Sequence, residues 1–261
     1  MKARSKPQAM SLTSVAAAVL PWTALWHAAF WASRLASSVA SSTYGALDGP
    51  TKGYWDASVV STLHALYVTC LSGSALAATP ALLTTDDWTL STPAALACSE
   101  CFLGYILSDL VLALYYGTAW SGCVANLAHH VFIVVCWGQL LEGECGMLFA
   151  LVGALCEAST PFVNGRWFLS RCGQRDSTLY VVNGLAMTLS FFVFRVLGFL
   201  WMGTRLVAQR EGLLAMPPWA TGSILLSYGV GTALQLFWFR KMAQGVVKAL
   251  GLGGKTAGKQ A

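Results

Sequence analysis

The sequence predicts an all-α polytopic membrane protein with seven transmembrane helices. Of its 261 residues, 56% are hydrophobic and 10% are charged, whereas soluble domains carry about 25% charged residues. The apolar residues also form seven long runs, and about 20 such residues are enough for a helix to cross a bilayer. Most of the chain is therefore expected to fold inside lipid.

The first apolar run, at about 12–32, follows the basic residues Lys2, Arg4 and Lys6. This layout is similar to that of a targeting peptide, but the apolar core is longer than in a typical signal peptide. We therefore expect an uncleaved transmembrane helix. His27 lies in it without an acidic partner nearby, which favours a structural role. A long Ser-, Gly- and Pro-rich loop is predicted to follow at 37–56.

Six further transmembrane helices are predicted after this loop. They cover about 58–78, 94–117, 120–141, 144–164, 178–202 and 219–239. Very few residues separate the third helix from the fourth and the fourth from the fifth, so both pairs must be antiparallel hairpins. The predicted domains are an N-terminal segment with helix 1 (1–53), a core of six helices (54–245) and a flexible basic tail (246–261).

The formal net charge of +5 does not indicate nucleic-acid binding. Most of the basic residues cluster at helix ends and in the tail, where they orient a protein in its membrane. The face that carries the C-terminus holds more Lys and Arg than the opposite face. The positive-inside rule therefore predicts a cytosolic C-terminus.

Cysteine and histidine usage excludes some kinds of site. Most of the eight cysteines lie inside apolar runs, and Cys98-x-x-Cys101 has no βαβ context, so we expect these thiols to pack in the core. Di-iron membrane enzymes need many clustered histidines, whereas this chain has four. No metal is predicted, and a zinc site formed by His64, His129 and Glu157 is the less favoured alternative.

His129 and His130 stand in the middle of the fourth apolar run, where ionisable side chains are costly. With a rise of about 1.5 Å per residue, the two hairpins bring Asp109 and Glu157 to the depth of His129. A carboxylate beside an imidazole can make the ring a general base or a nucleophile. The alternative is that these residues form only structural hydrogen bonds between helices.

Two further ionisable residues lie inside the apolar runs. Arg195 is predicted to form a structural ion pair with Glu100, because both fall toward the face opposite the C-terminus. His64 is expected at a shallower depth than the histidine pair, and the sequence favours neither a functional nor a structural role for it.

Four short motifs occur in order along the chain. They are Ser-Thr-Leu-His at 61–64, Gly-Tyr-Ile-Leu-Ser-Asp at 104–109, the pair His129-His130, and the stretch that begins at Glu157 and continues as Ser-Thr-Pro-Phe-Val-Asn-Gly-Arg-Trp at 159–167. In this order they resemble the TLC domain family, which includes ceramide synthases and translocating-chain-associating membrane proteins. The resemblance covers about residues 54–245 and is greatest to the small TLC domain-containing transmembrane proteins.

The resemblance implies an endoplasmic-reticulum membrane protein in which helices 2–7 form a six-helix ring around a central, lipid-accessible cavity. In ceramide synthases the matching histidine pair is the acyl-transfer centre and acyl-CoA is the donor. Glu157 matches the first aspartate of the ceramide synthase motif. Thr160 stands where the second aspartate would be, and this departure argues against ceramide synthesis itself.

The predicted site follows from both arguments. The candidate catalytic residues are His129, His130, Glu157 and Asp109; the candidate substrate-binding residues are His64, Asn164, Arg166, Trp167 and Asn183. One hypothesis is an N- or O-acyltransferase with acyl-CoA as co-substrate, its phosphates near Arg166, Arg171 or Arg175, and no other cofactor. The alternative is a non-catalytic lipid-binding protein that regulates membrane lipid composition. The predicted partners are membrane lipids, fatty acyl-CoA and a second copy in a homodimer.

Overall fold

The structure, a computed structural model, describes residues 11–120 and 122–249, with side chains of the last helix described through Val247. All regular elements in these ranges are helical, and seven helices within them are long and apolar enough to cross a membrane. The predicted all-α class with seven transmembrane helices is confirmed. The predicted flexible tail lies outside the described residues from 250 onward, and its first residues, 246–249, belong to the last helix.

The long helices are numbered in chain order. They are α1 (Leu12–Ala40), α2 (Gly49–Ala78), α3 (Pro93–Tyr116), α4 (Cys123–Glu142), α5 (Met147–Arg171), α6 (Thr178–Ala208) and α7 (Pro218–Ala249). A 3-10 turn at Cys156–Ser159 interrupts α5, and a π-helical turn at Phe192–Leu197 interrupts α6. Short helices at Ser42–Gly45, Pro80–Leu83, Gly117–Ala119 and Arg210–Leu214 connect them.

The prediction of a loop at 37–56 is wrong for most of that range, because α1 continues to Ala40 and α2 already begins at Gly49. Asp48 caps α2 by accepting a hydrogen bond from the Thr51 backbone N–H at 2.7 Å. Pro50 fits the first turn, where a backbone N–H has no partner within the helix. Hydrogen bonding to Thr51 also lowers the pKa of Asp48 below its usual value.

Helix α1 packs on α2 and α3. Gly104 of α3 allows this close approach, because an added Cβ would meet the side chain of Trp22 and lie 3.0 Å from the backbone nitrogen of Thr23. A hydrogen bond joins α2 to the short helix Ser42–Gly45 that precedes it. The buried carboxylate of Asp56 accepts a hydrogen bond from the Tyr44 hydroxyl at 2.8 Å. Burial, together with this hydrogen bond, raises the pKa of Tyr44 to about 12, so the phenol stays protonated.

The other six helices contact one another in the cyclic order α2, α3, α4, α7, α6, α5 and back to α2. This order is compatible with the predicted six-helix ring, which stays a prediction. The larger apolar core lies among α1 to α5, and Cys98 and Cys101 are free thiols within it, as predicted. A second apolar cluster lies where α4, α5, α6 and α7 meet away from the C-terminus.

We expect Gly104→Ala to lower the free energy of unfolding by roughly 1–3 kcal/mol, because the added methyl group must push α1 away from α3. Denaturant titration of the purified protein in detergent micelles would measure this change. Gly73→Ala on α2 is the matched control, since a Cβ there has no neighbour within 4 Å. An equal loss of stability in both variants would contradict the assigned close packing.

Candidate intramembrane site

A cavity of about 410 Å³ lies among the six helices α2 to α7. We call it the central cavity. Its wall combines aromatic and apolar side chains with an unusual number of polar ones for a membrane interior. The polar and ionisable residues that line it include Tyr54, Ser58, Ser61, Tyr105, Asp109, Asn126, His129, His130, Glu157, Thr160, Asn164 and Arg195.

His130 is held at both ring nitrogens. Its Nε2 lies 3.0 Å from Oδ2 of Asp109, and both side chains are nearly buried, at 7% and 12% exposure. Its Nδ1 lies 2.7 Å from the backbone carbonyl of Asn126, one helical turn earlier. A carbonyl oxygen only accepts, so Nδ1–H is the donor in the contact with Asn126. A second proton must then lie between Nε2 and the Asp109 carboxylate for these two atoms to form a hydrogen bond. This ring has no nitrogen left for a substrate.

His129, unlike His130, has neither a carboxylate nor a carbonyl partner among the described residues. Its ring makes edge-on contacts with His130 and Trp238, both at 5.7 Å between ring centroids. No hydrogen bond from any described residue reaches its nitrogens. Adjacent residues of a helix diverge by about 100°, so only one of the two rings can face α3 and Asp109. His129 is therefore the imidazole that stays available inside the cavity.

Glu157 is neutralised by Arg195. Nη2 of Arg195 lies 3.3 Å from Oε1 of Glu157 and 3.1 Å from Oγ1 of Thr160, and Nε donates to Oγ of Ser159 at 2.8 Å. The Thr160 hydroxyl also donates to Oε2 of Glu157 at 2.7 Å. The predicted pair between Arg195 and Glu100 is thus wrong. The π-helical turn that carries Arg195 packs against the 3-10 turn that carries Glu157, whereas Glu100 lies on α3.

Residues of the 159–167 stretch connect α5 to its neighbours. The Asn164 amide donates to the Ser58 carbonyl at 3.1 Å and to the Thr62 hydroxyl at 3.0 Å, and Asn164 also lines the cavity. Asn183 donates to the Phe162 carbonyl at 2.8 Å, outside the cavity wall. The Trp167 ring lies against Tyr54, at 4.8 Å between centroids.

Besides Trp167 and Asn183, two more of the predicted substrate-binding residues, His64 and Arg166, lie outside the cavity wall. His64 is completely buried and stacks on Tyr105 at 3.9 Å between centroids, with Trp26 edge-on to its other side. It is not part of the cavity wall, and the described residues bring no three metal-ligating side chains together. Arg166 faces a separate groove on the outside of the bundle. The cavity therefore brings together His129, His130, Asp109, Glu157 and Asn164, but not His64, Arg166, Trp167 or Asn183.

A smaller cavity of about 70 Å³ continues from the same residues, since His129, Glu157 and Arg195 line both spaces. Its wall is mostly apolar, but it also contains Trp137, Ser227 and Gln235. Each of these has a buried polar atom without a partner among the described residues. Cavities of this size and polarity can hold several water molecules. Polar side chains are thus also present in the smaller cavity.

Sequence reasoning missed several parts of the site. Asn126 contributes only its backbone carbonyl, and the i−4 spacing to His130 is the signal that could have indicated it. Trp238 lies in the last apolar run, where nothing distinguishes it from lipid-facing residues. Thr160 was identified as a lost carboxylate, whereas its hydroxyl contacts both Glu157 and Arg195.

Comparison with known proteins gives a consistent result. The sequence profile of the TLC domain matches residues 54–244. The chain is 31% identical to TLC domain-containing protein 4-A of Xenopus laevis over 219 residues, which are 80% of this chain and 82% of that one. It is 29% identical to TLC domain-containing protein 4-B of Danio rerio over 235 residues, 84% and 82% of the two chains. No solved structure matches.

We expect Arg195→Met to lower the free energy of unfolding by about 3–5 kcal/mol, because it leaves Glu157 as an uncompensated charge inside the bundle. The double variant Arg195→Met with Glu157→Gln should recover much of this loss. Denaturant titration in detergent micelles measures both. Arg210→Met is the control, since its contact with Glu211 is exposed and 4.0 Å long. A double variant that is no more stable than Arg195→Met would refute the charge argument.

Proposed function

Because the chain belongs to the TLC domain family, we propose that it transfers a fatty acyl group from acyl-CoA to a lipid acceptor in its central cavity. The observation that carries this proposal is His129, an imidazole whose nitrogens receive no hydrogen bond from described residues. It lies inside a membrane bundle beside the His130–Asp109 pair. A free imidazole in that position is suited to proton transfer.

In the proposed reaction the acceptor is a lipid hydroxyl or amino group that lies beside His129. It attacks the carbonyl carbon of the thioester and gives its proton to the imidazole as the new carbon–oxygen or carbon–nitrogen bond forms. The carbon–sulfur bond then breaks, and the CoA thiolate leaves with that proton. His129 returns to its neutral form. A covalent route would use the same ring as the nucleophile.

The neighbouring groups have supporting roles in this scheme. The His130–Asp109 pair fixes His130, whose ring edge contacts His129. Tyr54 and Tyr105 add hydroxyl groups to the cavity wall. Hydroxyl donors of this kind can stabilise the oxyanion that forms at the thioester carbonyl. The bound Glu157 contributes to the shape and polarity of the cavity rather than orienting His129.

The proposed setting is the endoplasmic-reticulum membrane with the C-terminus in the cytosol. Integral membrane character follows from the seven apolar helices and the family. The cytosolic orientation is supported by the basic residues on the C-terminal face. From that side a water-soluble CoA head group would reach the mouth of the cavity, while its acyl chain enters the bundle. A homodimer stays a prediction.

A second candidate function is binding of a lipid without turnover, which would make the protein a regulator of lipid composition. The observation in its favour is the Glu157–Arg195–Thr160 cluster, whose hydrogen bonds are already satisfied within the protein. Such a cluster can hold a polar head group without exchanging protons. The departure from the ceramide synthase motif at Thr160 points in the same direction.

We expect His129→Ala to reduce acyl transfer at least about 100-fold, because it removes the general base. Asp109→Asn should have a smaller effect, since it releases His130 but leaves His129 in place. The assay combines purified protein, isotope-labelled palmitoyl-CoA and sphingoid-base or lysophospholipid acceptors. Mass spectrometry of the intact protein reports any acyl adduct on histidine.

The matched control is His27→Gln, because His27 lies on α1, does not line the cavity, and has one polar contact among the described residues, with Ser108 at 3.4 Å. This variant should keep full activity. The proposal of acyl transfer at this site is wrong if wild-type protein forms no product, or if His129→Ala is as active as His27→Gln. A lipid that co-purifies stoichiometrically without turnover would instead support the second candidate.

A further inference from the structure

A groove of about 440 Å³ lies on the outside of the bundle, between the C-terminal end of α5, the start of α6 and the end of α7. We call it the lateral groove. We propose that it binds a phosphate-bearing amphiphile, with the phosphate at Arg166, Arg175 and Lys241 and the acyl chain along α6 and α7. The inference does not depend on acyl transfer, because none of the residues assigned to that reaction lines the groove.

The charge of the groove is entirely positive. Three basic side chains line it, and no Asp or Glu of the described part of the chain does. Within the described residues none of the three has a carboxylate oxygen within 4.0 Å. Three uncompensated cations at one membrane face attract phosphate groups, and arginine can bind two phosphate oxygens at once. The charges therefore indicate an anionic ligand.

Arg166 is already positioned for such a ligand. Its Nη1 donates to the Tyr180 carbonyl at 3.2 Å, and its guanidinium lies 3.9 Å from the centroid of the Tyr180 ring. Gly184 makes room for it, because a Cβ at that position would lie 3.3 Å from Cζ of Arg166 and still closer to Nη1. A guanidinium has five N–H donors, so most remain free for oxygen atoms of a ligand.

The other two cations also keep free donors. Arg175 donates from Nε to the Ser170 hydroxyl at 2.7 Å, which leaves both of its terminal amino groups. The Lys241 ammonium lies 4.3 Å from the centroid of the Phe237 ring, one turn earlier on α7. A cation above an aromatic ring retains its outward N–H groups. All three residues can therefore contact the same anion-bearing head group.

The remainder of the groove is suited to an acyl chain. Its α6 wall consists of positions 180, 181, 184, 185, 187 and 188, which lie along one face of the helix. At about 1.5 Å per residue this face extends roughly 12 Å into the membrane. Val181 and Leu185 are 53% and 49% exposed, so this part of α6 faces lipid. A lipid tail can enter from the side.

Two classes of ligand that carry both a phosphate and an acyl chain could reach the groove from the membrane face. One is an anionic glycerophospholipid of the bilayer, and the other is fatty acyl-CoA. Met242 lines both the lateral groove and the central cavity. An acyl-CoA bound here would lie next to the proposed acyl-transfer site, whereas a bilayer lipid would brace α7 against α6.

The test measures binding of fluorescent phosphatidic acid, fluorescent palmitoyl-CoA and fluorescent diacylglycerol to the full chain in nonionic detergent micelles, by anisotropy. Arg166→Gln combined with Lys241→Gln should weaken at least one phosphate-bearing ligand tenfold or more. The matched control is Arg240→Gln, an exposed cation beside Lys241 that does not line the groove. It should change binding less than twofold.

A second pair of variants tests the groove without changing charge. Gly245→Leu fills it, and Gly229→Leu is the control on the same helix; an added Cβ has no neighbour within 4 Å at either position. Only Gly245→Leu should weaken binding. The proposal is overturned if diacylglycerol binds as well as both phosphate ligands, if inorganic phosphate alone competes as strongly as the lipids, or if the groove and control variants behave alike.

The binding preferences distinguish the two ligand classes, and a variant of His129 distinguishes this proposal from acyl transfer. Preference for phosphatidic acid identifies a bilayer lipid, and preference for palmitoyl-CoA identifies the donor substrate; either supports the groove as a binding site. His129→Ala should bind phosphatidic acid with unchanged affinity, because His129 does not line the groove. Loss of acyl transfer in that variant therefore leaves this inference untouched, and failure of binding leaves acyl transfer untouched.

Discussion

Neutralisation of charge inside the bilayer is the constraint on which this structure depends. Lipid offers no partner to a carboxylate, so a charged group in the bundle needs a counterion from another helix. Three carboxylates have one: Asp56 lies near Arg34 on α1, Asp109 contacts His130 on α4, and Glu157 contacts Arg195 on α6. Each pair joins two different helices. The positions of the charges therefore specify which helices are neighbours as much as the apolar contacts do.

The same constraint separates the roles of the two adjacent histidines. Asp109 engages one ring, and the backbone carbonyl of Asn126 engages its other nitrogen. The second ring points about 100° away around the helix axis, and its ring contacts among the described residues are edge-on, with His130 and Trp238. Within a cavity that also contains the Glu157–Arg195 ion pair, His129 is thereby left without a hydrogen bond from any described residue. Both carboxylates that line the cavity, Asp109 and Glu157, are thus paired with a described residue of another helix.

The depth of a residue in the membrane could be estimated from the sequence, whereas the direction of its side chain could not. Asp109, His129, His130 and Glu157 line one cavity, because the two short hairpins bring them to similar depths. Asn164, which lies about two turns beyond Glu157 on α5, lines the same cavity. His64 does not line the cavity, because its side chain points from α2 toward Trp26 on α1 and Tyr105 on α3. Glu157 and Arg195 were both recognised as intramembrane charges. Their pairing depends on a π-helical and a 3-10 turn, which hydrophobic periodicity does not reveal.

The amino-acid sequence by itself determined the class of the protein. Seven apolar runs, few charges and tight hairpins are local properties, and a bilayer leaves a chain of this kind little choice but spanning helices. Only the tertiary structure decided which carboxylate meets which cation, which histidine stays free and where Arg166 points. These outcomes depend on the rotation of each helix about its axis, which the packing of all seven together sets, because the partners lie far apart in the sequence.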